Sequence, residues 1–565
     1  MEIIFKQNSF LIICCLCALV LFLFSSNVNQ RSRWFLPKQT LIRRVSKVTE
    51  EKVDCNLPLH LNPLDSSIKR FIKKLPNRIQ CIGKSNDSYY YLYGAGQQGL
   101  TYVDNSGFLI TQKTKLNLNC FYQSFDRKDG NDTQLEFGKS SALPSKLNLN
   151  QLKINFVSVT CSKRGKLVYK NIHFYPSTLK VENSNDTSLN NDNKTSVIIL
   201  VLESLSRLNY LRFLHQTKEA LESLGNGLTK IADNSYPNMA PLLTGLRPYK
   251  HEFPMNVNDD KGPYDELPLI WKLFQKEGYK TSFIEDLNEY TLFNYLANGF
   301  VKEPVDWYPR PYWLQIKDDH SFCYNFRPQV ELLLQQKKLF LRKFKSYPLF
   351  AFSFYIQVTH NDFNNAQMID SHYANFINEF KKQLNTSIFI LMGDHGNRYG
   401  NVLTTFIGRV EERMPLFAIH LPEKLLKEQP HLREYLNINK NRLTTWLDVH
   451  TTLLDVVNAN YSVVDTNKLQ RSYSLWKQVV PTNRTCDQAL IPETYCVCDK
   501  RVELNTNDSF VRNTSAFLVS QINELLSKYK NCQKLRLSNI ISAFQIMPSN
   551  KVFEKFKKSK TYELT

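Results

Sequence analysis

No segment of this sequence repeats at a fixed period and no long low-complexity tract occurs, which argues against solenoids, propellers and a mainly disordered chain. Paired C-x-x-C units are missing as well, which argues against a structural zinc site. Acidic residues are in deficit: 52 Asp and Glu stand against 72 Lys and Arg, a net charge of +20. That balance favours acidic partners such as anionic glycans, phosphate esters, membrane surfaces or nucleic acid. What is present is the composition of a globular protein, 42% hydrophobic and 12% aromatic. With 565 residues the chain holds one large domain with appendages, or about two to four ordinary ones.

One strongly apolar run, Phe10 to Phe24, follows Lys6 and precedes Ser25-Ser26. It is shorter than the ~20 residues of a full membrane span, so a cleaved signal and a short type II anchor both fit. The lack of a small-x-small cleavage site, and Cys14, Cys15 and Cys17 as acylation positions, favour the anchor. Arg31, Arg33, Lys38, Arg43, Arg44 and Lys47 run against the positive-inside rule for a lumenal C-terminus, but long domains translocate largely regardless of charge. The expected location is a membrane-anchored lumenal or extracellular domain, or secretion. Nine further cysteines (Cys55, Cys81, Cys120, Cys161, Cys323, Cys486, Cys496, Cys498 and Cys532) read as disulfides, with at least one left outside an internal pair. Sequons such as those at Asn131, Asn385 and Asn513 agree with an oxidising compartment.

In chain order, residues 1–26 are the signal or anchor, 27–75 a basic stem, and 76–182 a β-rich region of short alternating segments such as Tyr89-Tyr-Tyr-Leu-Tyr and Ile154-Asn-Phe-Val-Ser-Val. An Asn- and Ser-rich linker follows. Residues 195–480 alternate strands and helices, which predicts an α/β domain with a mostly parallel sheet sandwiched by helices. Expected strands are Val197–Leu202, Thr281–Ile284, Leu349–Ile356, Ile388–Met392 and Leu416–His420; expected helices are Leu267–Glu277, Gln329–Lys345, Ile369–Lys382 and Asn441–Val457. Residues 481–565 form a Cys-bearing C-terminal region.

Polar residues follow several of these strands, at the edge where open α/β sheets place their ligands. Glu203 ends the first strand. Gly393-Asp394-His395-Gly396 follows 388–392 and sets an oxygen beside a nitrogen ligand; without partners it is simply a turn. Thr359-His360-Asn361-Asp362 follows 349–356, and its alternative is an exposed loop. Asn234-Ser235-Tyr236-Pro237-Asn238 precedes an apolar stretch that could open a helix, where a hydroxyl becomes a nucleophile once a cation lowers its pKa.

Together these pieces resemble the alkaline phosphatase superfamily, with its sulfatases, nucleotide pyrophosphatases and phosphoethanolamine or phosphoglycerol transferases. Ser235-Tyr-Pro-Asn with Leu243-Thr-Gly is similar to the pyrophosphatase nucleophile segment, and Asp394-His395-Gly396 to the superfamily's metal signature. Ser206-Arg207, Leu242-Leu-Thr-Gly, Gly408-x-x-Glu411-Glu-Arg-x-Pro-Leu416, Asn441-Arg-Leu-Thr-Thr, Asp448-x-His-x-Thr-Leu-Leu and Tyr495-Cys-Val-Cys498 resemble more closely an animal branch known as a domain of unknown function. The resemblance implies that Glu203, Ser235, Asp394 and His395 hold one divalent metal (Zn, Mn or Ca) and that Ser235 is the nucleophile. His360 and Asp362 would be the pair of a second site, which lacks a recognisable later His. Asn238, Glu412 and Arg413 are expected on the substrate side, with a salt-bridged structural turn as the alternative for Glu411-Glu412-Arg413.

Glu203 stands where this branch usually has Asp, and single-metal transferases use Glu there. Ser235-Tyr-Pro-Asn-Met lacks the Arg that sulfatases need. The implied activity is hydrolysis or transfer of a phosphate ester, ahead of a sulfate ester, on a glycan, a lipid or a small molecule. The rival is an inactive ectodomain that binds anionic glycans or a protein partner; nucleic acid is not expected.

Overall fold

The computed structural model describes residues 55, 57–81, 99–177, 194–221, 224–249, 251–253, 261–316, 322–464, 470–498, 501–529, 531–541 and 543–546. The N-terminal apolar run, the strand expected at 89–93, the linker at 182–193 and the basic end at 555–560 lie outside them. Among the described residues no helix is long and apolar enough to cross a membrane. The chain divides into two compact units, 57–497 and the combined segments 1–56 and 498–565. In the second unit, Cys55 is bonded to Cys498, Arg501–Glu503 pairs with Phe544–Ile546, and Asp508 caps helix Ser509–Leu526.

Unit 57–497 is built on a six-stranded sheet. Its strands are β1 (Val197–Leu202), β2 (Leu224–Gly227), β3 (Lys280–Glu285), β4 (Leu349–Tyr355), β5 (Ile388–Met392) and β6 (Leu416–His420), in the spatial order β2-β6-β5-β1-β4-β3. The β5-β1-β4-β3 pairings are parallel and the two involving β6 are antiparallel. Every residue of β1 is buried because each face meets its own core. Ile198, Leu200 and Leu202 join one cluster with Leu333 and Phe340 of helix α2 (Gln329–Lys343) and Tyr373 and Phe376 of α3 (Asp370–Glu379); Val197, Ile199 and Val201 join the other with Met239 and Leu243 of α1 (Ser235–Thr244) and Val449 and Leu453 of α4 (Trp446–Val457). Burial of such side chains, about 1.5–3 kcal/mol each, explains the unbroken apolar runs. Beneath β1 and β4, the fully buried Lys337 ammonium donates to the carbonyls of Ile199 (3.3 Å) and Ala351 (2.9 Å) and to Ser353 Oγ (2.8 Å).

Strands β1, β5 and β6 have the predicted bounds, whereas β2, with two glycines in four residues, carries no strand signal in the sequence. The β-rich region forms a five-stranded antiparallel sheet around Asn119–Arg127 and Phe156–Lys163, and it shares the first core, where Phe156 stacks on Trp307 at 5.6 Å. Within the described part of the stem Ile68 is buried and Lys73 donates its backbone N–H to Asn364 (2.8 Å); beyond it, Cys81 is bonded to Cys323. Disulfides Cys120–Cys161 and Cys486–Cys496 complete the set, and Cys532 takes part in none of the four.

Helix α4 carries a capping box in which Thr445 and Asp448 satisfy each other's backbone. Fully buried Arg484 donates to Asp448 Oδ2 at 2.8 Å and to the carbonyls of Leu443 and Arg471, both at 3.0 Å. Removing the cation would leave a carboxylate buried alone. Arg484→Leu is therefore expected to cost about 3–5 kcal/mol, read as a lowered urea midpoint; an unchanged midpoint would show that the pair is dispensable.

Candidate functional site

Parallel strands β1, β4 and β5 deliver their following loops to one edge, and three segments meet there. Glu203 leaves β1; Ser204 after it has φ 59°, an unusual value for a residue other than glycine, and donates its N–H to Asp394 Oδ1 (2.9 Å). Asp394 and His395 leave β5 between two glycines. Neither glycine is needed for a positive φ. A Cβ on Gly393 would lie 2.1 Å from the Leu205 carbonyl oxygen, and one on Gly396 would lie 1.8 Å from that of Glu411. Both positions require close backbone approach.

The third segment is the start of α1. Ser235 is its first residue, and Asn238, fully buried, bridges the preceding loop: its Oδ1 accepts from Ile231 and Ala232 N–H, and its amide donates to the carbonyls of Ala232 and Asn234. Both ends of the Asn238 side chain are thus occupied. It shapes the turn that presents Ser235.

The ligand atoms of Glu203, Asp394 and His395 lie within 4.8 Å of one another. Ser235 Oγ is 3.2 Å from Glu203 Oε1 and 3.4 Å from His395 Nε2. His395 Nδ1 is 2.8 Å from the Gly396 carbonyl, which only accepts, so Nδ1 carries the hydrogen and Nε2 presents a lone pair inward. Burial lowers the His395 pKa to about 4, so its 3.2 Å approach to Asp394 Oδ2 is not an ion pair at neutral pH. Asp394 Oδ2 is itself buried without a hydrogen-bond partner. Burial, and then the Asp394 charge, hold the Glu203 carboxyl well above the usual range. Two carboxylates, a bare imidazole nitrogen and a hydroxyl converge with one exchangeable hydrogen among them. Such oxygen and nitrogen donors fit a divalent ion. Trp446 of α4 donates its indole N–H to the Asp394 carbonyl (3.2 Å), tying the β5 turn to the capped helix.

Other expected residues fall elsewhere. His360 Nε2 is 3.5 Å from Glu203 Oε1 on the more open side, with 19% of its side chain exposed. Asp362 does not join it: its carboxylate caps a 3-10 turn through the Asn364 N–H (3.0 Å) and pairs with Lys73 (2.9 Å). Glu412 is paired with Lys230 and Arg409, both at 3.0 Å, and the Arg413 carbonyl accepts the Lys230 N–H. Glu411, Glu412 and Arg413 end the helix Phe406–Arg413, with Glu411 bound to Arg212 and Ser206. Sequence reasoning missed Arg398. Its Nη1 meets Asn234 Oδ1 (2.6 Å) and Asp233 Oδ2 (3.2 Å), and its charge acts on both Glu203 and His395. The only signal was its place four residues after Asp394.

The Glu203 shift has a definite sign. A carboxyl raised in the folded state contributes stability below its ordinary value near 4.5, and that contribution disappears as pH rises through the folded value. In chelator, wild type is expected to lose stability relative to Glu203→Gln as pH rises above 4.5, and zinc should restore wild type alone. Parallel urea midpoints for both proteins at every pH, with equal zinc shifts, would contradict this.

No curated protein matches the chain in sequence. Solved structures that it is similar to include the lipoteichoic acid synthase LtaP from Listeria monocytogenes, at 13% identity over 55% of this chain and 78% of that one, TM-score 0.33. A protein in the alkaline phosphatase superfamily from Vibrio parahaemolyticus matches at 15% identity over 55% and 73%, TM-score 0.34. The C-terminal periplasmic domain of EcEptC from Escherichia coli, in complex with Zn, matches at 14% identity over 54% and 95%, TM-score 0.35. At these scores the likenesses assign no activity or substrate to this chain. The family profile described as "Protein of unknown function (DUF229)" matches residues 97–541, most of the chain. The chain belongs to that family.

Proposed function

We propose that this protein is a metal-dependent hydrolase or transferase of phosphate esters, working through Ser235 in a lumenal or extracellular compartment. The observation that carries the reading is the convergence of Glu203, Asp394 and His395 on the hydroxyl that begins α1. Glu203, Asp394, His395 and Ser235 would hold one divalent ion, which when bound supplies positive charge that favours the Ser235 alkoxide and offsets charge on the transferring group.

The chain's own residues account for the rest. Asn234 makes no side-chain cap at the start of α1, its Oδ1 being taken by Arg398, which is thereby held beside Ser235. Ser235 Oγ gives up its proton and attacks phosphorus; the Oγ–P bond forms as the bond to the leaving oxygen breaks, and that oxygen takes up one proton in place of the one Ser235 released. Water or another hydroxyl then displaces Ser235. His360, beside Glu203 and partly exposed, is placed to exchange the proton with solvent. Arg398 adds fixed positive charge for the anionic ester. The absence of Arg from Ser235-Tyr-Pro-Asn-Met supports phosphate over sulfate, and the engagement of Asp362 with Lys73 supports one ion. Four disulfides support the oxidising compartment.

Ser235→Ala is expected to lower zinc- or manganese-supported turnover of aryl phosphates and phosphodiesters by at least ~10³-fold while the protein stays folded. A wild type without metal-dependent turnover across that panel, or an alanine variant of equal rate, would refute the reading.

A further inference from the structure

The aromatic residues of this protein are mostly core, yet one chain of rings remains at the surface, beside the candidate site. Tyr399 follows β5, His360 follows β4, and Tyr290 and Tyr295 follow β3, so loops after three parallel strands each contribute to it. Neighbouring rings are in contact: Tyr399 to His360 at 5.4 Å between centroids, His360 to Tyr290 at 5.8 Å, and Tyr290 to Tyr295 at 5.5 Å, the last pair stacked at 22°. The tyrosines are 42%, 44% and 50% exposed in the order Tyr399, Tyr290, Tyr295. Leu296 beside them is 79% exposed with φ 55°, and Leu287 at the other end of that loop has φ 49°. Two non-glycine residues at positive φ thus bracket the segment that displays Tyr290 and Tyr295.

The row has a direction. His360 Nε2 lies 3.5 Å from Glu203 Oε1, and the Arg398 guanidinium stands 5.4 Å over the Tyr399 ring. One end therefore meets the metal-ligand cluster and a cation, and the other runs out to solvent at Tyr295. Stacked tyrosines offer flat apolar faces edged with hydroxyls. An acyl chain takes an unbroken aliphatic trough, whereas pyranose rings present flat C–H faces and hydrogen-bonding rims. Four consecutive rings also exceed the footprint of one sugar.

We propose that this tyrosine row is a subsite for the sugar rings of a phosphorylated glycan, holding the chain that leads to an ester at Ser235. The inference rests on the phosphate-ester reading above and narrows its substrate class. The anion is recognised at Arg398, the sugars at Tyr399, Tyr290 and Tyr295.

The test is calorimetric binding to the full-length protein of 6-phosphorylated gluco-, manno- and galacto-oligosaccharides, with glycerol 3-phosphate, lysophosphatidate and a nucleoside monophosphate as comparators. It is run with zinc and in chelator. At least one phosphorylated oligosaccharide should bind at least tenfold more tightly than every comparator. The double variant Tyr290→Ala/Tyr295→Ala should abolish that preference while glycerol 3-phosphate binding stays unchanged. Tyr290→Phe/Tyr295→Phe, which keeps the rings, should retain it. No oligosaccharide preference, tighter lysophosphatidate or nucleotide binding, or an alanine variant that binds like wild type would overturn the proposal. Turnover of an aryl phosphate, measured on the same preparations, separates the two readings: if it is absent while ring-dependent glycan binding persists, the catalytic reading fails and the sugar subsite stands.

Discussion

Acceptor atoms that face one another with too few hydrogens between them set the terms for this fold. Asp394 Oδ2, the Nε2 lone pair of His395 and the Glu203 carboxylate are all buried, and the Ser235 hydroxyl can donate to only one of them at a time. In a low-dielectric site such an arrangement is unfavourable without a proton or a cation. Burial and the neighbouring Asp394 charge raise the Glu203 pKa, because a second buried negative charge beside Asp394 is costly. A structure that needed only stability would place hydrophobic residues here.

The surrounding architecture holds this arrangement in place. Parallel pairing of β1 with β5 sets Val201 opposite Met392, so Glu203 and Asp394 emerge side by side. Gly393 and Gly396 let the β5 turn press against the Leu205 and Glu411 backbones, where any side chain would collide. Asn238 ties the loop before α1, Trp446 holds the Asp394 carbonyl, and Arg484 with Asp448 secures the helix bearing Trp446. Each contact fixes a ligand-bearing segment relative to the sheet. A strained Ser204 is the visible backbone cost at the centre.

Much of this was legible in the sequence because it depends on patterns that sequence carries. Six apolar residues ending in Glu203, and five ending before Gly393-Asp394-His395, gave both strands and their order of use. The sequence did not reveal side-chain direction beyond a turn. Asp362 and His360 sit two residues apart, yet one faces Lys73 and the other Glu203. The pairing of Glu412 with Lys230 was likewise hidden, because the two lie 182 residues apart and meet only when the chain folds. Gly393 and Gly396 are required by the close approach of a distant backbone, which no local pattern records. The tyrosine row was invisible for the same reason, since its members come from loops after three different strands.

The most direct measurement of the central claim is anomalous diffraction from crystals of the protein grown with zinc. The account predicts a single strong peak bounded by Glu203, Ser235, Asp394 and His395, with ligand distances of about 2.0–2.2 Å. A zinc peak elsewhere with none at these four residues, or no peak at saturating zinc, would contradict it.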